Sequence, residues 1–249
     1  MSIWAIADLH LSFGVKNKGM DAFGPQWKDH PAKIEAAWRE RIGKDDLVLI
    51  AGDISWAMRV EEAMADLLWV DQLPGTKVML RGNHDYWWPS LKKLKEILPK
   101  SIHAIHNTAW SWNGVAIGGS RLWDTPEYSF GQAVEVVVPA GPVAETTSTE
   151  TPEEEEKIFV RELGRLEISL QALDRKATRR MAMTHYPPIG ADLAPSRASA
   201  LLEKYGVSDC VFGHLHSVRP GALPFGTARG VNYRLTSCDY LDFVPIRIG

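Results

Sequence analysis

The sequence predicts an α/β fold with parallel strands, and three observations lead to this class. In the first half of the chain, short runs rich in Val, Ile, Leu and Ala each end at a polar bend: SIWAIAD, DLVLIAGD and TKVMLRGN. Longer segments with helical spacing lie between these runs. Alternating strands and helices are typical of parallel βαβ units. The second half contains further strand-like runs: SIHAIHN, GVAIGGS, RRMAMTH, SDCVFGH, VNYRLTS and DFVPIRI.

Two helices are predicted between the first strands. Residues 31–42 begin with Pro31, which suits a first helical turn. Apolar side chains then fall on one face of this helix: Ile34, Ala37, Trp38 and Ile42. Residues 60–73 form a second helix with an apolar stripe: Val60, Met64, Leu67, Leu68 and Val70. Spacing of three and four residues is the helical pattern, so both segments are expected to cover a sheet.

Residues 124–150 interrupt this order. They lack periodicity and contain Pro126, Pro139 and Pro142 together with the polar run ETTST. We expect a long surface excursion, which either folds over the functional site as a lid or decorates the surface. It ends at TPEEEEKIF, whose proline and glutamates indicate a helix start after an N-cap at Thr151. No strong boundary divides the chain, so residues 1–249 are expected to form a single domain.

Composition excludes several functional classes. Of the 249 residues, 45% are hydrophobic and 24% charged, as in soluble globular proteins. A formal net charge of -3 gives no general attraction to nucleic acid or to anionic membranes. No apolar run reaches the roughly 20 residues of a membrane span, and the N-terminus lacks secretory features. Cys210 and Cys238 are expected to be buried thiols rather than a disulfide. These features predict a cytoplasmic protein.

Polar residues that can bind metals stand where the predicted strands stop. They occur in ADLH, AGDIS, RGNHD, THYPP and FGHLH: Asp8, His10, Asp53, Asn83, His185, His214 and His216. A single polar residue at such a position usually binds a turn. In open α/β sheets, however, ligands collect at the carboxyl ends of strands. The whole series in this order therefore predicts a shared metal site at that edge.

The ordered series DLH, GDIS, GNHD, THYPP and GHLH resembles the signature of calcineurin-like metallophosphoesterases, and it spans residues 8–216. The resemblance implies a four-layer α/β/β/α sandwich, in which helices flank two mixed sheets and two metal ions lie at the carboxyl-terminal strand edge. It implies one ion on Asp8, His10 and His216, a second on Asn83, His185 and His214, and Asp53 as the bridge between them.

Such a centre would hold two divalent ions, with Mn, Fe or Zn expected because mixed oxygen and nitrogen ligands do not fix the metal. Two neighbouring ions can share a hydroxide and clamp a phosphate oxygen. The ions bring four positive charges, whereas Asp8 and Asp53 bring two negative ones. The remaining positive charge would attract a phosphate. Asn83 is neutral and so leaves this positive charge in place, and it is also a candidate substrate contact.

The resemblance places His84 beside the ions without binding them. A histidine near its ordinary pKa suits a general acid that protonates the leaving oxygen. Asp85 either orients that imidazole or binds the turn that follows. Arg121 is a candidate phosphate contact. Tryptophans near strand ends are candidate walls for an organic group, with simple packing as the alternative: Trp56, Trp87, Trp88 and Trp123. The remaining histidines are expected to be ordinary surface or sheet residues: His30, His103 and His106.

The predicted function is metal-dependent hydrolysis of a small phosphate ester, either a monoester or a diester. Purple acid phosphatases have a tyrosine ligand after the bridging Asp, and GDISWAM contains none. Lipid A pathway hydrolases have Arg where His84 stands. A nuclease of the same superfamily is one alternative, although the net charge and chain length do not favour nucleic acid. A non-catalytic metal-binding scaffold is the other, although no ligand of the series is missing.

Overall fold

The computed structural model describes residues 1–16, 18–135 and 151–249. Its strands, in chain order, are β1 (Ile3–Ile6), β2 (Leu47–Ile50), β3 (Thr76–Met79), β4 (Ile102–Ala104), β5 (Trp110–Trp112), β6 (Val115–Ser120), β7 (Arg179–Thr184), β8 (Asp209–Phe212), β9 (Thr227–Ala228), β10 (Val231–Leu235) and β11 (Ile246–Arg247). Its α-helices are α1 (His30–Arg41), α2 (Val60–Asp71), α3 (Leu91–Ile97), α4 (Pro152–Gln171) and α5 (Arg197–Lys204).

The strands form two mixed sheets. The first has the order β11-β1-β2-β3-β4, and only β11 is antiparallel to its neighbour. The second has the order β5-β6-β7-β8-β10-β9, in which β6, β7, β8 and β10 are parallel and both edge strands are antiparallel. Parallel neighbours end at the same edge of a sheet. The predicted α/β class with parallel pairing is confirmed.

Three layers of buried side chains hold the sandwich together. Between the sheets lie residues from both, among them Leu49, Val78 and Met183. The first sheet packs on its other face against α1, α2 and α3, and the second packs against α4 and α5. The central strands are covered on both faces, which explains their continuous apolar runs. The predicted four-layer α/β/β/α architecture is confirmed.

The predicted helices are present, but one side chain of the predicted buried face of α2 is exposed. In α1, Ile34 and Trp38 are fully buried. In α2, Leu67 is buried as expected, but Leu68 is 50% exposed, and Asp66 is buried in its place. Asp66 Oδ1 accepts a hydrogen bond from the backbone N of Phe13 (2.8 Å), so a polar partner offsets the burial of this carboxylate.

Helix α4 begins where its sequence predicts. The Thr151 side chain accepts from the backbone N of Glu154, and the Glu154 carboxylate accepts from the backbone N of Thr151. This reciprocal cap satisfies two backbone donors at the helix start. The prediction of two buried, unpaired thiols at Cys210 and Cys238 is likewise confirmed. Within the described ranges, every helix is too short or too polar to cross a lipid bilayer.

The described part of the predicted excursion, residues 124–135, packs against the second sheet. Tyr128 Oη donates to the carbonyl of Pro187 (2.8 Å), and the backbone N of Glu135 donates to the carbonyl of Ser217 (3.0 Å). Residues 136–150 of the predicted excursion lie outside the described residues. The described part therefore lies close to the loops that follow β7 and β8.

Candidate metal centre

The predicted ligands are positioned by five strand ends. Asp8 and His10 follow β1, Asp53 follows β2, Asn83 follows β3, His185 follows β7, and His214 and His216 follow β8. Hydrogen bonds join the two sheets at this edge: Ala7 N donates to the carbonyl of Thr236 (2.7 Å), and Cys238 N donates to that of Ala7 (3.0 Å). The carboxyl ends of the two sheets therefore meet.

The backbone at this edge is sharply bent. Four of the predicted ligands have positive φ angles, at Asp8 (59°), His10 (43°), Asp53 (51°) and His214 (74°). Non-glycine residues rarely adopt this left-handed region, and such strain concentrates at functional sites. The bends turn successive polar side chains towards one place.

Three motif glycines leave room for a ligand that follows another strand. A Cβ at Gly82 would lie 1.9 Å from Asp53 Oδ1, one at Gly213 would lie 2.4 Å from Asp8 Oδ2, and one at Gly52 would lie 2.5 Å from His185 Nδ1. Any side chain would collide with these groups. The glycines of GDIS, GNHD and GHLH are thus required by the close approach of the predicted ligands.

Asp8, His10 and His216 form the first group of candidate ligands, whose ligand atoms all lie within 4.8 Å of one another. Nε2 of His10 and Nε2 of His216 are 3.1 Å apart, and His216 Nε2 is 3.9 Å from Asp8 Oδ1. Two imidazole nitrogens and a carboxylate oxygen thus converge. Such a set suits a divalent transition metal.

The second group converges on the amide of Asn83. Its Oδ1 lies 2.6 Å from His185 Nε2 and 3.1 Å from His214 Nδ1. His185 Nδ1 faces the carbonyl of Ala51 at 3.0 Å and donates to it, which leaves a lone pair on Nε2 when the ring is neutral. Two imidazole nitrogens and an amide oxygen therefore converge, a set that suits a transition-metal cation.

Asp53 lies between the two groups. Its Oδ2 is 3.7 Å from His10 Nε2 and 3.4 Å from His185 Nε2. The carboxylate therefore faces one histidine of each group, the geometry that a bridging ligand needs. The buried carboxylate oxygens, the convergent imidazole nitrogens and the space left by the glycines all fit a pair of metal ions.

The electrostatics of the centre also favour cations. Burial would lower the pKa of His185, but the charges of Asp53 and Asp8 outweigh it and raise that pKa to about 9. Desolvation is likewise outweighed at His216, where Asp239 and Asp8 raise the pKa to about 9. Burial raises the pKa of Asp8 to about 6, against the histidine charges. Burial lowers the pKa of His10 and of His214, so the metal-free centre carries its protons on His185 and His216.

Metal binding is therefore expected to release about two protons per chain near neutral pH, because ligating imidazoles must be neutral. The pKa values of His185 and His216 are about 9 in the folded protein, against 6.5 for an ordinary histidine. Both residues therefore stabilise the metal-free fold below pH 6.5, because the folded state binds their protons more tightly. That stabilisation is lost as pH rises through 9. Calorimetric titration in buffers of different ionisation heat measures the release. Binding without proton release would contradict this description of the centre.

Asp239 supports the first group and was not predicted from the sequence. Its Oδ1 is 2.9 Å from His216 Nδ1, and its Oδ2 accepts from the backbone N of Ser217 (2.9 Å). A carboxylate on Nδ1 fixes the tautomer that leaves Nε2 free for a metal. Asp239 follows β10, so the strand-end pattern that identified the other residues applies to it as well.

Replacing Asp239 by asparagine is expected to weaken metal binding at the first group by about 10–100-fold, the usual effect of losing an outer hydrogen bond to a ligating histidine. Metal titration followed by competition with a chelator measures the affinity. Asp242→Asn, the same charge change at an exposed position, is the control and should bind metal as the wild type does. Equal affinities for all three proteins would contradict the role.

His84 lies against the centre without joining either group. Its backbone N donates to Asp53 Oδ1 (2.9 Å), and its ring is 4.5 Å from that of Trp56. Nδ1 of His84 is buried and has no hydrogen-bond partner among the described residues. Burial is the main cause that lowers the pKa of His84. Trp56 also stacks on His10 at 5.0 Å, so it forms a wall of the centre.

Asp85 accepts hydrogen bonds that hold the turns of GDIS and GNHD together. Its Oδ1 accepts from the backbone N of Ile54 (2.9 Å) and Ser55 (3.1 Å) and from Trp87 Nε1 (3.0 Å), and its Oδ2 accepts from Gly82 N (2.8 Å). Burial raises the pKa of Asp85 to about 6. No hydrogen bond joins Asp85 to the His84 ring in the described part of the chain. These contacts match the turn-binding alternative and fasten GDIS to GNHD.

Arg121 is held by helix α4. Its Nη2 is 3.2 Å from Glu162 Oε1, and its guanidinium lies 4.4 Å over the Trp123 ring. The Arg121 carbonyl accepts from the backbone N of His185 and of Tyr186. The residue thus supports the loop after β7, and its role as a phosphate contact stays a prediction.

His30 differs from its prediction. It was expected at the surface or in a sheet, but it is buried at the start of α1. Its Nε2 is 3.0 Å from the carbonyl of Leu9, and its Nδ1 is 3.2 Å from that of Trp27. His30 therefore packs beneath the DLHL turn, where its neutral ring donates to one of these two backbone carbonyls.

Curated relatives match only part of this chain. The Gene 66 protein of Mycobacterium phage D29 is 36% identical over 85 residues, which cover 34% of this chain and 40% of that protein. The Gene 66 protein of Mycobacterium phage L5 is 35% identical over 86 residues, which cover 33% of this chain and 39% of that protein. The matched region thus spans about two fifths of each relative.

Solved structures align along almost the whole chain. A protein of unknown function, AQ665 from Aquifex aeolicus, is 15% identical with a TM-score of 0.48, and the alignment covers 99% of this chain and 95% of that one. Phosphopantetheinyl hydrolase from Mycobacterium tuberculosis is 16% identical with a TM-score of 0.49 and the same coverage. The model of the calcineurin-like phosphoesterase family matches residues 1–218, most of the chain. This chain therefore belongs to the calcineurin-like phosphoesterase family.

Proposed function

We propose that this protein is a hydrolase of phosphate esters that depends on two divalent metal ions, with Mn, Fe or Zn as the expected metals. One observation carries the proposal: Asp53 Oδ2 faces a histidine from each of two groups of candidate ligands. The residues that would hold the ions are Asp8, His10, Asp53, Asn83, His185, His214 and His216. Family membership supports the same reaction class.

When bound, the two ions supply Lewis-acid activation of a water molecule and a clamp on the phosphate. The protein's part is to hold the ligands and to keep the charge balance positive. Only Asp8 and Asp53 among the proposed ligands are carboxylates, so two negative charges face four positive ones. The excess attracts an anionic ester to the strand edge.

His84 is proposed to protonate the leaving oxygen. Its Nδ1 is buried, so Nε2 is the atom assigned to proton donation. Burial lowers the pKa of this ring, which leaves it neutral near pH 7 in the free protein. A bound phosphate anion favours the protonated imidazole because opposite charges attract. His84 thereby becomes protonated when the substrate binds. Trp56 excludes water from one face of its ring.

A panel of esters tests the proposal. The metal-loaded protein is assayed with p-nitrophenyl phosphate, bis-p-nitrophenyl phosphate, cyclic nucleotides and single-stranded DNA, and kcat/KM is compared. We expect hydrolysis of a small ester, whether monoester or diester. Activity on DNA alone would favour the nuclease alternative. No activity on any ester, with both metals bound, would favour the scaffold alternative and refute the proposal.

A further inference from the structure

A cavity of about 590 Å³ opens beside the second group of candidate ligands, a volume in the range of small-molecule sites. Two lining residues connect it to the centre. Tyr186 follows His185 directly, and its ring lies 3.8 Å from the ring of His214. Leu215 lies between the two histidines of GHLH. A molecule in this cavity would therefore contact the loops that carry the ligands.

Aromatic rings form much of the lining: Trp123, Tyr128, Phe130 and Tyr186. Contacts within the described structure fix their positions. The rings of Trp123 and Tyr186 are 5.0 Å apart, and Tyr128 is tied to the carbonyl of Pro187. Phe130 packs at 6.1 Å against Phe225, outside the lining. The walls are thus held in place by contacts with one another, with Pro187 and with Phe225.

Among the described residues, two carboxylates also line the cavity, whereas no lysine or arginine does. Asp124 and Glu155 have no side-chain hydrogen bond or ion pair within the part of the chain that the structure describes. Four other glutamates of α4 have partners: Glu154 with Thr151, Glu156 with Arg197, Glu162 with Arg165, and Glu167 with Lys204. The exposed Glu153 has none among the described residues. Desolvation and the charge of Glu155 raise the pKa of Asp124 to about 6, against the opposing charge of His185.

Unpaired carboxylates are unexpected beside a centre that must attract a phosphate, because they repel the anion. A substrate that brings its own positive charge removes this conflict. Aromatic faces combined with carboxylates are also the chemistry that recognises organic ammonium groups. We propose that this cavity binds an alkylammonium group, and that the substrates are phosphate esters whose organic part carries one. The substrate class rests on the proposed hydrolase function, whereas the ammonium site does not.

Isosteric esters test the inference. Trimethylammonioalkyl phosphates of several chain lengths are compared with the neutral esters in which a tert-butyl group replaces trimethylammonium. For the best chain length, kcat/KM of the metal-loaded protein should favour the cation by about tenfold, a ratio between those of exposed and fully desolvated cation–π contacts. In the Asp124→Asn, Glu155→Gln double variant the ratio should fall towards one. Glu153→Gln, an exposed neighbour on α4 outside the lining, should keep the wild-type ratio.

Binding of the free alcohols gives a readout that does not depend on catalysis. Ligand-observed NMR should show that the metal-loaded protein binds the trimethylammonio alcohol more tightly than its tert-butyl isostere, and that the double variant does not. Equal binding of both alcohols, or a wild-type ratio in the double variant, would overturn the inference. Selective binding without hydrolysis of either ester would support the ammonium site and refute the hydrolase proposal instead.

Discussion

Replacing Asp53 by asparagine is expected to remove both metal ions and to abolish ester hydrolysis. The carboxylate faces His10 on one side and His185 on the other, at 3.7 and 3.4 Å. An amide has one good donor oxygen and no charge, so it cannot serve two cations. Elemental analysis of the purified variant, together with kcat/KM for a small ester, measures the effect.

Asp45→Asn is the matched control for this variant, because it makes the same change at an exposed position. Asp45 precedes β2, the strand that Asp53 follows. It should retain both ions and full activity. Two tightly bound ions in Asp53→Asn would rule out the bridging role. One retained ion would place Asp53 in a single group.

Replacing His84 by alanine is expected to leave both ions bound while kcat falls by about 10²–10⁴-fold, the usual contribution of a general acid. The backbone N of His84, which donates to Asp53 Oδ1, survives this substitution, so the centre should keep its shape. The loss should be smaller for p-nitrophenyl esters than for alkyl esters, since an acidic leaving group needs little protonation. Metal analysis and kcat for both ester types measure the two parts.

His103→Ala is a suitable control, because it also removes an imidazole that packs on a tryptophan. The tryptophan in this case is Trp110 of β5, the edge strand that pairs with β6. Its kcat should match that of the wild type. If alkyl and p-nitrophenyl esters suffer equally in His84→Ala, then His84 stabilises the phosphate instead of donating a proton. A loss of metal in that variant would make His84 part of the metal-binding set.

The candidate ligands could be predicted because parallel strands end at one edge. Asp8, Asp53 and Asn83 follow neighbouring strands of the first sheet, so spacing along the chain was sufficient to bring them together. His185 and His214 follow strands of the second sheet, and the strand-end pattern placed them in the same site. Their assignment to one particular ion came from the resemblance to a family. The sequence carries no local signal that the strands form two sheets whose carboxyl ends meet, since this depends on packing of the layer between them.

Other features depended on contacts between distant segments. Asp239 reaches His216 because β10 lies beside β8, although 18 residues separate β8 from β10. The exposure of Leu68 and the burial of Asp66 reverse the helical pattern, because the Phe13 backbone supplies a partner for the carboxylate. Residues 124–135 have no periodicity, so neither their packing nor the cavity that they line could be predicted. Local patterns identify strands and turns, whereas side-chain partners follow from topology.

Anomalous scattering from crystals of the manganese-loaded protein counts the metal ions and places them independently of activity. We expect two peaks, one on each side of the Asp53 carboxylate, with Asp8, His10 and His216 around one and Asn83, His185 and His214 around the other. A single peak, or peaks away from Asp53, would contradict this arrangement.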